Sequence, residues 1–201
     1  MQDSNIPQKD GGHRLHSEWA FWEHKEIKKG ASDEEWSNAA GQLTNFNSIE
    51  QFWAIWNNVP APSELFFNGK QKRKLVRSGA IEALSIFKKG IRPEWEDPCN
   101  KDGGELRKAV TLDQLDSLWE SVVLNLIGES MDPDNEVCGA RIVDKSYQTD
   151  RGGARPSYRL EVWYRNKRKS EMNEIIKTNL RSCLKNRDGT PDTSKIDMKN
   201  H

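Results

Sequence analysis

Two tryptophans lie in strongly charged stretches of the chain, where large aromatic side chains are uncommon. Trp36 follows an acidic run, and Trp95 is followed directly by Glu96. An indole offers its π face to a positively charged ring, and a carboxylate accepts two parallel N–H donors such as those on the edge of guanine. We therefore predict that Trp36, Trp95 and Glu96 hold a cationic purine, with Trp36 closing the sandwich from a second loop.

Trp36, Trp95 and a third tryptophan, Trp163, each also have a purely structural interpretation. Ser32 and Glu35 have the spacing of a helix capping box, which would make Trp36 the first buried residue of a short helix. Trp95 could anchor an ordinary turn. Trp163 stands in an alternating run and could be the core residue of a strand. The sequence leaves these alternatives open.

Composition favours one soluble domain without a metal or cofactor. The chain has 201 residues, of which 34% are hydrophobic and 31% charged, which suffices for one core. Its formal net charge is zero, so contact with nucleic acid needs a local basic patch. Three scattered cysteines, Cys99, Cys138 and Cys183, indicate neither a disulfide framework nor a zinc ribbon.

The polar ends of the chain suggest its domain boundaries. Residues 1–12 and 188–201 are predicted as flexible tails, and residues 13–187 as the folded domain. No apolar run has the length of a signal peptide or a membrane span. We therefore expect a protein of the cytoplasm, with the nucleus as a second location, and no membrane contact.

Three stretches have helical periodicity. The first follows Ser48, which has Gln51 at capping-box spacing; the second begins at Thr111 and ends at Gly128; the third is capped by Ser170. Strand-like runs cover residues 17–23, 41–46, 140–147 and 157–165. Because these elements do not alternate as βαβ units, we predict an α+β fold with an antiparallel sheet and helices on one face.

Short motifs follow one another along the chain in a recognisable order. They are His13-Arg14-Leu15, Trp19-Ala20-Phe21-Trp22, residues 48–57, 90–97 and 100–104, Leu118-Trp119-Glu120, residues 126–130, and Val137-Cys138-Gly139-Ala140. Together they resemble the cap-binding translation initiation factor 4E family, from about His13 to about Tyr164. The resemblance implies a curved antiparallel sheet with three α-helices on its convex face and the cap site on the concave side.

The resemblance also implies a function and its base-binding residues. The chain would bind the 7-methylguanosine cap at the 5′ end of mRNA in translation initiation. Trp36 and Trp95 would stack on the cationic base, Glu96 would read the guanine edge, and Trp163 would pack against the N7 methyl group. Catalysis is not expected, because the chain has no H-E-x-x-H, phosphate-loop or nucleophile-elbow motif.

The family's phosphate-binding residues correspond less clearly to positions of this chain. By position, Lys145 and Arg159 correspond to phosphate-binding residues, while Arg151 and Arg155 are candidates for a middle position in a basic insertion. Two basic stretches, residues 68–77 and 146–156, are longer than is usual in the family. They are interpreted either as solvated loops or as added contact with RNA.

The resemblance also implies a second surface, which would bind a partner helix from a 4G-type scaffold or a 4E-binding repressor. Its residues would be His13, Leu15, Ile49, Trp53 and Leu124, with Trp53 as the anchor unless it is buried within the protein.

The chain departs from the family at Arg14 and at Glu120-Ser121, on the partner-binding side. The alternative function is therefore a cap-binding repressor or storage factor that does not engage the standard scaffold. A purely structural interaction domain is a third hypothesis. The protein is expected to be a monomer.

Overall fold

The computed structural model describes residues 12–27, 30, 32, 38–69, 75–76, 79–132, 134–148, 154–186 and 188–201. Trp36, Arg151 and the predicted tail before Gly12 lie outside these residues. The capping box that was the alternative interpretation of Trp36 also falls largely outside them.

An antiparallel, curved sheet forms the centre of the protein. Its strands are β1 Arg14–Lys25, β2 Ala40–Ser48, β3 Leu75–Val76, β4 Gly79–Lys88, β5 Gly104–Val110, β6 Val137–Asp144, β9 Tyr158–Tyr164 and β10 Asp197–Asn200, and β7 Tyr147–Gln148 pairs separately with β8 Ala154–Arg155. The strand order is β10-β5-β9-β6-β4-β1-β2, with β3 beside β4. The sequence predicted segments of β1, β2, β6 and β9, but not β4, β5 or β10.

Helices in the described residues are α1 Ile49–Trp56, α2 Pro62–Leu65, α3 Leu115–Ile127 and α4 Ser170–Cys183. The three predicted helices correspond to α1, α3 and α4, and the short α2 was not predicted. The α+β class is confirmed.

The helix ends were predicted with mixed success. The Ser48 hydroxyl accepts a hydrogen bond from the Gln51 backbone N–H at 3.2 Å, as the capping box predicted. The second prediction was wrong at its start: the Thr111 hydroxyl contacts the Gln114 side chain at 3.0 Å, and the helix begins only afterwards. The helix ends at Gly128 as predicted. Ser170 is the first residue of α4 and does not cap it.

One face of the sheet and the helices enclose the main core. On β9 the residues Leu160, Val162 and Tyr164 contribute to this core, together with Val122 of α3 and Ile176 of α4. Successive strand residues point to opposite faces, so the alternate residues of β9 lie on the other, concave face. The sheet therefore leaves its concave face free of helices among the described residues.

Residues 188–201 pack against the sheet. β10 pairs with β5, placing Met198 opposite Leu106, and Ile196 is buried in the main core. Asp192 forms a buried ion pair with Lys108 at 2.8 Å. This packing does not fit the flexible tail predicted for the segment, because its sparse apolar residues are supplemented by strand pairing and a buried charge pair.

No helix in the described parts of the chain is long and apolar enough to cross a membrane.

Candidate functional site

A tightly bonded loop presents Trp95 and Glu96 at the end of the sheet. The chain turns after β4 at Gly90, whose φ of +85° is costly for other residues. The buried Asn100 side chain then donates hydrogen bonds to the carbonyl oxygens of Arg92 and Glu94, both at 2.8 Å. These bonds cross the loop on which Trp95 stands, so its backbone is organised before any ligand arrives.

The side chains of Trp95 and Glu96 are available to a ligand. Trp95 is 50% exposed, and Glu96 is exposed. Within the described part of the chain, the Glu96 carboxylate has no hydrogen-bond or ion-pair partner. Because a large apolar side chain gains nothing from standing in water, the exposure of Trp95 argues against the interpretation as a turn anchor.

Trp163 is completely buried beneath this loop. Its ring packs edge-on against Phe87, with centroids 5.5 Å apart, beside Ile91 and Cys138. Burial raises the pKa of the Cys138 thiol to about 12, so this thiol is uncharged at neutral pH. The alternative interpretation of Trp163 as a core residue of a strand therefore describes this structure, and its contact with a methyl group stays a prediction.

His201 lies over both rings of this region. Its imidazole is 4.6 Å from the Trp163 ring and 6.1 Å from the Trp95 ring, measured between centroids. Its Nδ1 is 2.9 Å from the Asn100 carbonyl oxygen, which fixes Nδ1–H as the donor. His201 thus joins the two tryptophans. No local pattern predicts a role for His201, because its contacts depend on the pairing of β10 with β5.

Strand register arranges charged residues in rows across the concave face. Arg107 of β5, Glu161 of β9 and Arg141 of β6 lie in one row, directly opposite one another. The adjacent row contains Glu105 opposite Trp163, and the row on the other side contains Arg159. Trp163 and these arginines therefore share one face of the sheet.

Glu161 is the centre of an ion cluster in these rows. Its fully buried carboxylate accepts hydrogen bonds from Arg141 Nε at 2.9 Å, Arg159 Nε at 2.6 Å and Trp163 Nε1 at 3.3 Å. Burial by itself would raise the pKa of Glu161, but attraction to the two guanidinium groups outweighs it and holds this pKa well below its usual range. Glu161 is therefore charged, and its arginines are held in place.

A second buried carboxylate belongs to the adjoining strand. Glu105 is paired with Arg107, while its Oε2 is buried without a hydrogen-bond partner in the described residues. Burial and repulsion from Glu161 raise the pKa of Glu105 above its usual value, although Arg107 opposes this shift.

Of the predicted phosphate-binding residues, Arg159 lies on this face, at the opposite end of β9 from Trp163. Lys145 follows β6 directly and is exposed, and desolvation together with repulsion from Arg159 lowers its pKa. Arg155 is exposed on β8, opposite Tyr147 of β7. Arg151 lies outside the described residues. Neighbouring cations attract anions, even where one of them, Arg159, is paired with a carboxylate.

Sequence reasoning missed Arg141, Arg107 and Glu161. Alternation along β9 would have found Glu161, because it stands two residues from both Arg159 and Trp163. Arg141 likewise stands four residues before Lys145. The cross-strand contacts themselves need the register, which a single sequence does not reveal.

The residues predicted to bind a partner helix lie on α1, α3 and the start of β1. Trp53 is 39% exposed and Ile49 is 42% exposed, whereas Leu15 and Leu124 are partly buried against the core. His13 is exposed and bonds Glu50 through its backbone N–H at 2.9 Å and its ring Nδ1 at 2.8 Å. These bonds lower the pKa of Glu50 to about 2. The exposure of the Trp53 side chain shows that it is not wholly buried, contrary to the alternative interpretation.

A surface groove of about 760 Å³ lies elsewhere, beside α3 and the end of α4. It is lined largely by polar side chains, including Asp116, Ser121 and Asn186. The chemistry of the exposed Trp95 and the arginine rows is more distinctive, so we place the candidate site on the concave face. No group of three or more His, Cys, Asp or Glu side chains suited to a metal ion occurs among the described residues.

Comparison with known proteins identifies one family. The family model described as "Eukaryotic initiation factor 4E" matches residues 14–201. Eukaryotic translation initiation factor 4E1 of Drosophila melanogaster is 36% identical over 135 residues, which are 65% of this chain and 45% of the relative. Eukaryotic translation initiation factor 4E-2 of Schizosaccharomyces pombe is 31% identical over 196 residues, 94% of this chain and 67% of the relative. The chain spans from 45% to 67% of the length of these two relatives.

Solved structures show the same fold. Ascaris suum eIF4E-3 in complex with the m2,2,7G cap is 26% identical with a TM-score of 0.71, covering 94% of this chain and 92% of that one. A schistosome eIF4E complexed with m7GpppG and 4E-BP is 25% identical with a TM-score of 0.67, covering 87% and 84% of the two chains.

Proposed function

This chain belongs to the eukaryotic initiation factor 4E family, and from that premise we propose that it binds the 7-methylguanosine cap of mRNA on its concave face. The observation that carries the proposal is the exposed pair Trp95-Glu96 on a loop braced by Asn100. The cap-bound structures of similar proteins from Ascaris suum and a schistosome support it.

Methylation at N7 gives the guanine base a formal positive charge. Trp95 would stack on one face of this cation and Trp36 on the other, each contributing on the order of 1 to 3 kcal/mol. Glu96 would accept the N1–H and N2–H of the base in a charge-assisted pair, and Trp163 would line the methyl side. Without the methyl group the base is neutral, so this site discriminates by charge.

The triphosphate would follow the basic part of the concave face. Lys145 and Arg159 would contact phosphate oxygens, with Arg155 and Arg151 as candidates from the hairpin. Desolvation and repulsion from Arg159 lower the pKa of Lys145, and a phosphate beside both cations would relieve that repulsion. The proposal includes no catalytic step.

The convex side would bind a helix of a 4G-type scaffold or a 4E-binding repressor, in translation initiation. Ile49 and Trp53 stand exposed on one short helix, which suits an amphipathic partner helix. Similar proteins of known structure are bound to 4E-BP and to the 4E-binding protein Mextli. Initiation takes place in the cytoplasm, which is the location we propose; the nucleus stays a prediction from the sequence.

Retention on immobilised 7-methyl-GTP tests the cap proposal. The wild type should be retained and should be released by free 7-methyl-GTP but not by the same concentration of GTP. Trp95→Ala should lose retention, while Trp53→Ala, which removes an exposed indole from the convex side, should keep it. Equal release by GTP and 7-methyl-GTP would refute recognition of the cationic base.

A further inference from the structure

Glu161 occupies an unusual position for a carboxylate. It stands on the concave face of β9, two residues from Arg159 and two from Trp163, and opposite Arg141 of β6. It is fully buried although it is charged, and an isolated buried carboxylate is strongly unfavourable. Such a group persists when its partners compensate it, and here all its partners belong to the candidate site.

The two carboxylate oxygens divide their partners. Oε1 accepts from Arg159 at 2.6 Å, while Oε2 accepts from Arg141 at 2.9 Å and from the Trp163 indole N–H at 3.3 Å. The Arg141 guanidinium also lies over the Trp163 ring, 5.2 Å from its centroid. The Glu161 side chain therefore contacts both Arg159, which is predicted to bind phosphate, and Trp163, which is predicted to line the methyl side.

The bonding leaves donors for a ligand. A guanidinium has five N–H donors in a planar fork, and Glu161 engages one edge of the Arg159 fork through Nε and Nη2. Two arginines share this single carboxylate, so positive charge remains after pairing. Held in this way, Arg159 loses little rotamer freedom when it contacts a phosphate.

We propose that Glu161 is a positioning residue that holds Arg159 for the cap phosphates and orients Trp163 at the base. This inference rests on the proposed function and goes beyond it, because it assigns a coupling between the two halves of the site. Phosphate affinity thereby depends on a residue that touches no part of the cap.

The test compares ligands that differ only in phosphate number. Affinities for 7-methyl-GTP and 7-methyl-GMP are measured by equilibrium titration on the wild type and on Glu161→Gln. Glutamine keeps the shape of the side chain but lacks its charge. The affinity for 7-methyl-GTP divided by that for 7-methyl-GMP should therefore fall about tenfold. If Glu161 had only a structural role, its substitution would weaken the binding of both nucleotides equally. An unchanged affinity ratio would therefore overturn the inference.

Glu136→Gln is the matched control. Glu136 is also buried and paired, with Lys169 at 2.6 Å, but it lies before β6 and away from the arginine rows. This substitution should lower stability without changing the affinity ratio. A wild type that does not prefer 7-methyl-GTP over GTP would instead refute the proposed function itself, so the two failures are distinguishable.

A measurement on the wild type keeps the inference testable if Glu161→Gln does not fold. Indole N–H resonances are recorded by NMR, and that of Trp163 is assigned with Trp163→Phe. Inorganic triphosphate, which has no base, should shift the Trp163 resonance. It would bind Arg159, which weakens the bond from Arg159 to Glu161 and so alters the hydrogen bond between Glu161 and the Trp163 N–H. No shift at saturating triphosphate would contradict the coupling.

Discussion

The buried side chain of Asn100 holds the loop on which the exposed Trp95 stands. Its side-chain amide donates to two carbonyl oxygens of that loop, and the backbone carbonyl oxygen of Asn100 accepts a hydrogen bond from the His201 ring N–H. Asn100→Ala should lower the free energy of unfolding by about 1 to 3 kcal/mol, because the carbonyl oxygens of Arg92 and Glu94 lose their donor. It should also weaken 7-methyl-GTP binding, since Trp95 and Glu96 lose their fixed backbone. Urea unfolding and equilibrium titration measure the two effects.

Asn58→Ala controls for the loss of an amide. The Asn58 side chain donates to the Ala54 carbonyl at 2.8 Å at the exposed end of α1. Its removal should change stability by less than about 0.5 kcal/mol and leave nucleotide affinity unchanged. Undiminished affinity in Asn100→Ala would show that the loop does not need this brace.

Glu96→Gln should weaken 7-methyl-GTP binding about 10- to 100-fold. Gln can accept only one of the two base N–H groups, its amide N–H₂ opposes the other, and the charge assistance is lost. Equilibrium titration with 7-methyl-GTP provides the measurement, and Glu120→Gln on the exposed side of α3 is the control that should bind like the wild type. An effect below about twofold would remove Glu96 from the recognition of the base.

Stability should fall as the solution becomes acidic, in part through His24. This side chain is buried and 2.8 Å from the Ser85 hydroxyl, and burial, with repulsion from Arg141, lowers its pKa from 6.5 to about 3. Between these two values the unfolded chain binds more protons than the folded one, so stability rises with pH across that window. Going from about pH 7.5 to about pH 5 should cost the wild type about 1 to 2 kcal/mol through this group.

The variant His24→Gln isolates that contribution. Urea unfolding at both pH values should show a smaller loss for His24→Gln than for the wild type. His16→Gln alters a highly exposed histidine and should retain the wild-type loss. The same pH dependence in all three proteins would mean that His24 is not the neutral buried group described here.

Trp53→Ala should separate the two proposed surfaces. Removing this half-exposed indole should weaken binding of an amphipathic 4E-binding helix by about 30-fold or more, as for a central anchor, and leave 7-methyl-GTP affinity unchanged. Trp95→Ala should give the reverse pattern. Peptide and nucleotide titrations on both variants provide the measurement. A Trp53→Ala protein that binds the helix normally would place the partner elsewhere.

The parts of the site predicted from sequence are those with local signals. Trp95 and Glu96 are adjacent in a charged loop. The start of α1 is likewise visible in the sequence, because Ser48 caps this helix and Gln51 follows at capping-box spacing. Arg141 and Glu161 were missed because their meaning lies in the pairing of β6 with β9. Register is a long-range property, so a single sequence constrains it weakly.

Other misses have equally physical causes. β4 is a nearly continuous apolar run that includes Ala, Glu and Leu, which periodicity cannot assign to strand or helix. In α4, Ile175 is exposed although it is apolar, while Asn173 is buried and donates to the Asn166 carbonyl at 3.0 Å. Hydrophobicity alone cannot reveal such a buried polar residue, because its place depends on a hydrogen bond to another segment.

Titration of intrinsic tryptophan fluorescence with 7-methyl-GTP and with GTP is the decisive test of cap recognition. In the wild type the quenching should be strong and should prefer the methylated nucleotide, and it should be greatly reduced in both Trp95→Ala and Trp36→Ala, because each removes one face of the cation sandwich. Equal quenching by both nucleotides, or wild-type quenching and affinity in Trp95→Ala, would contradict it.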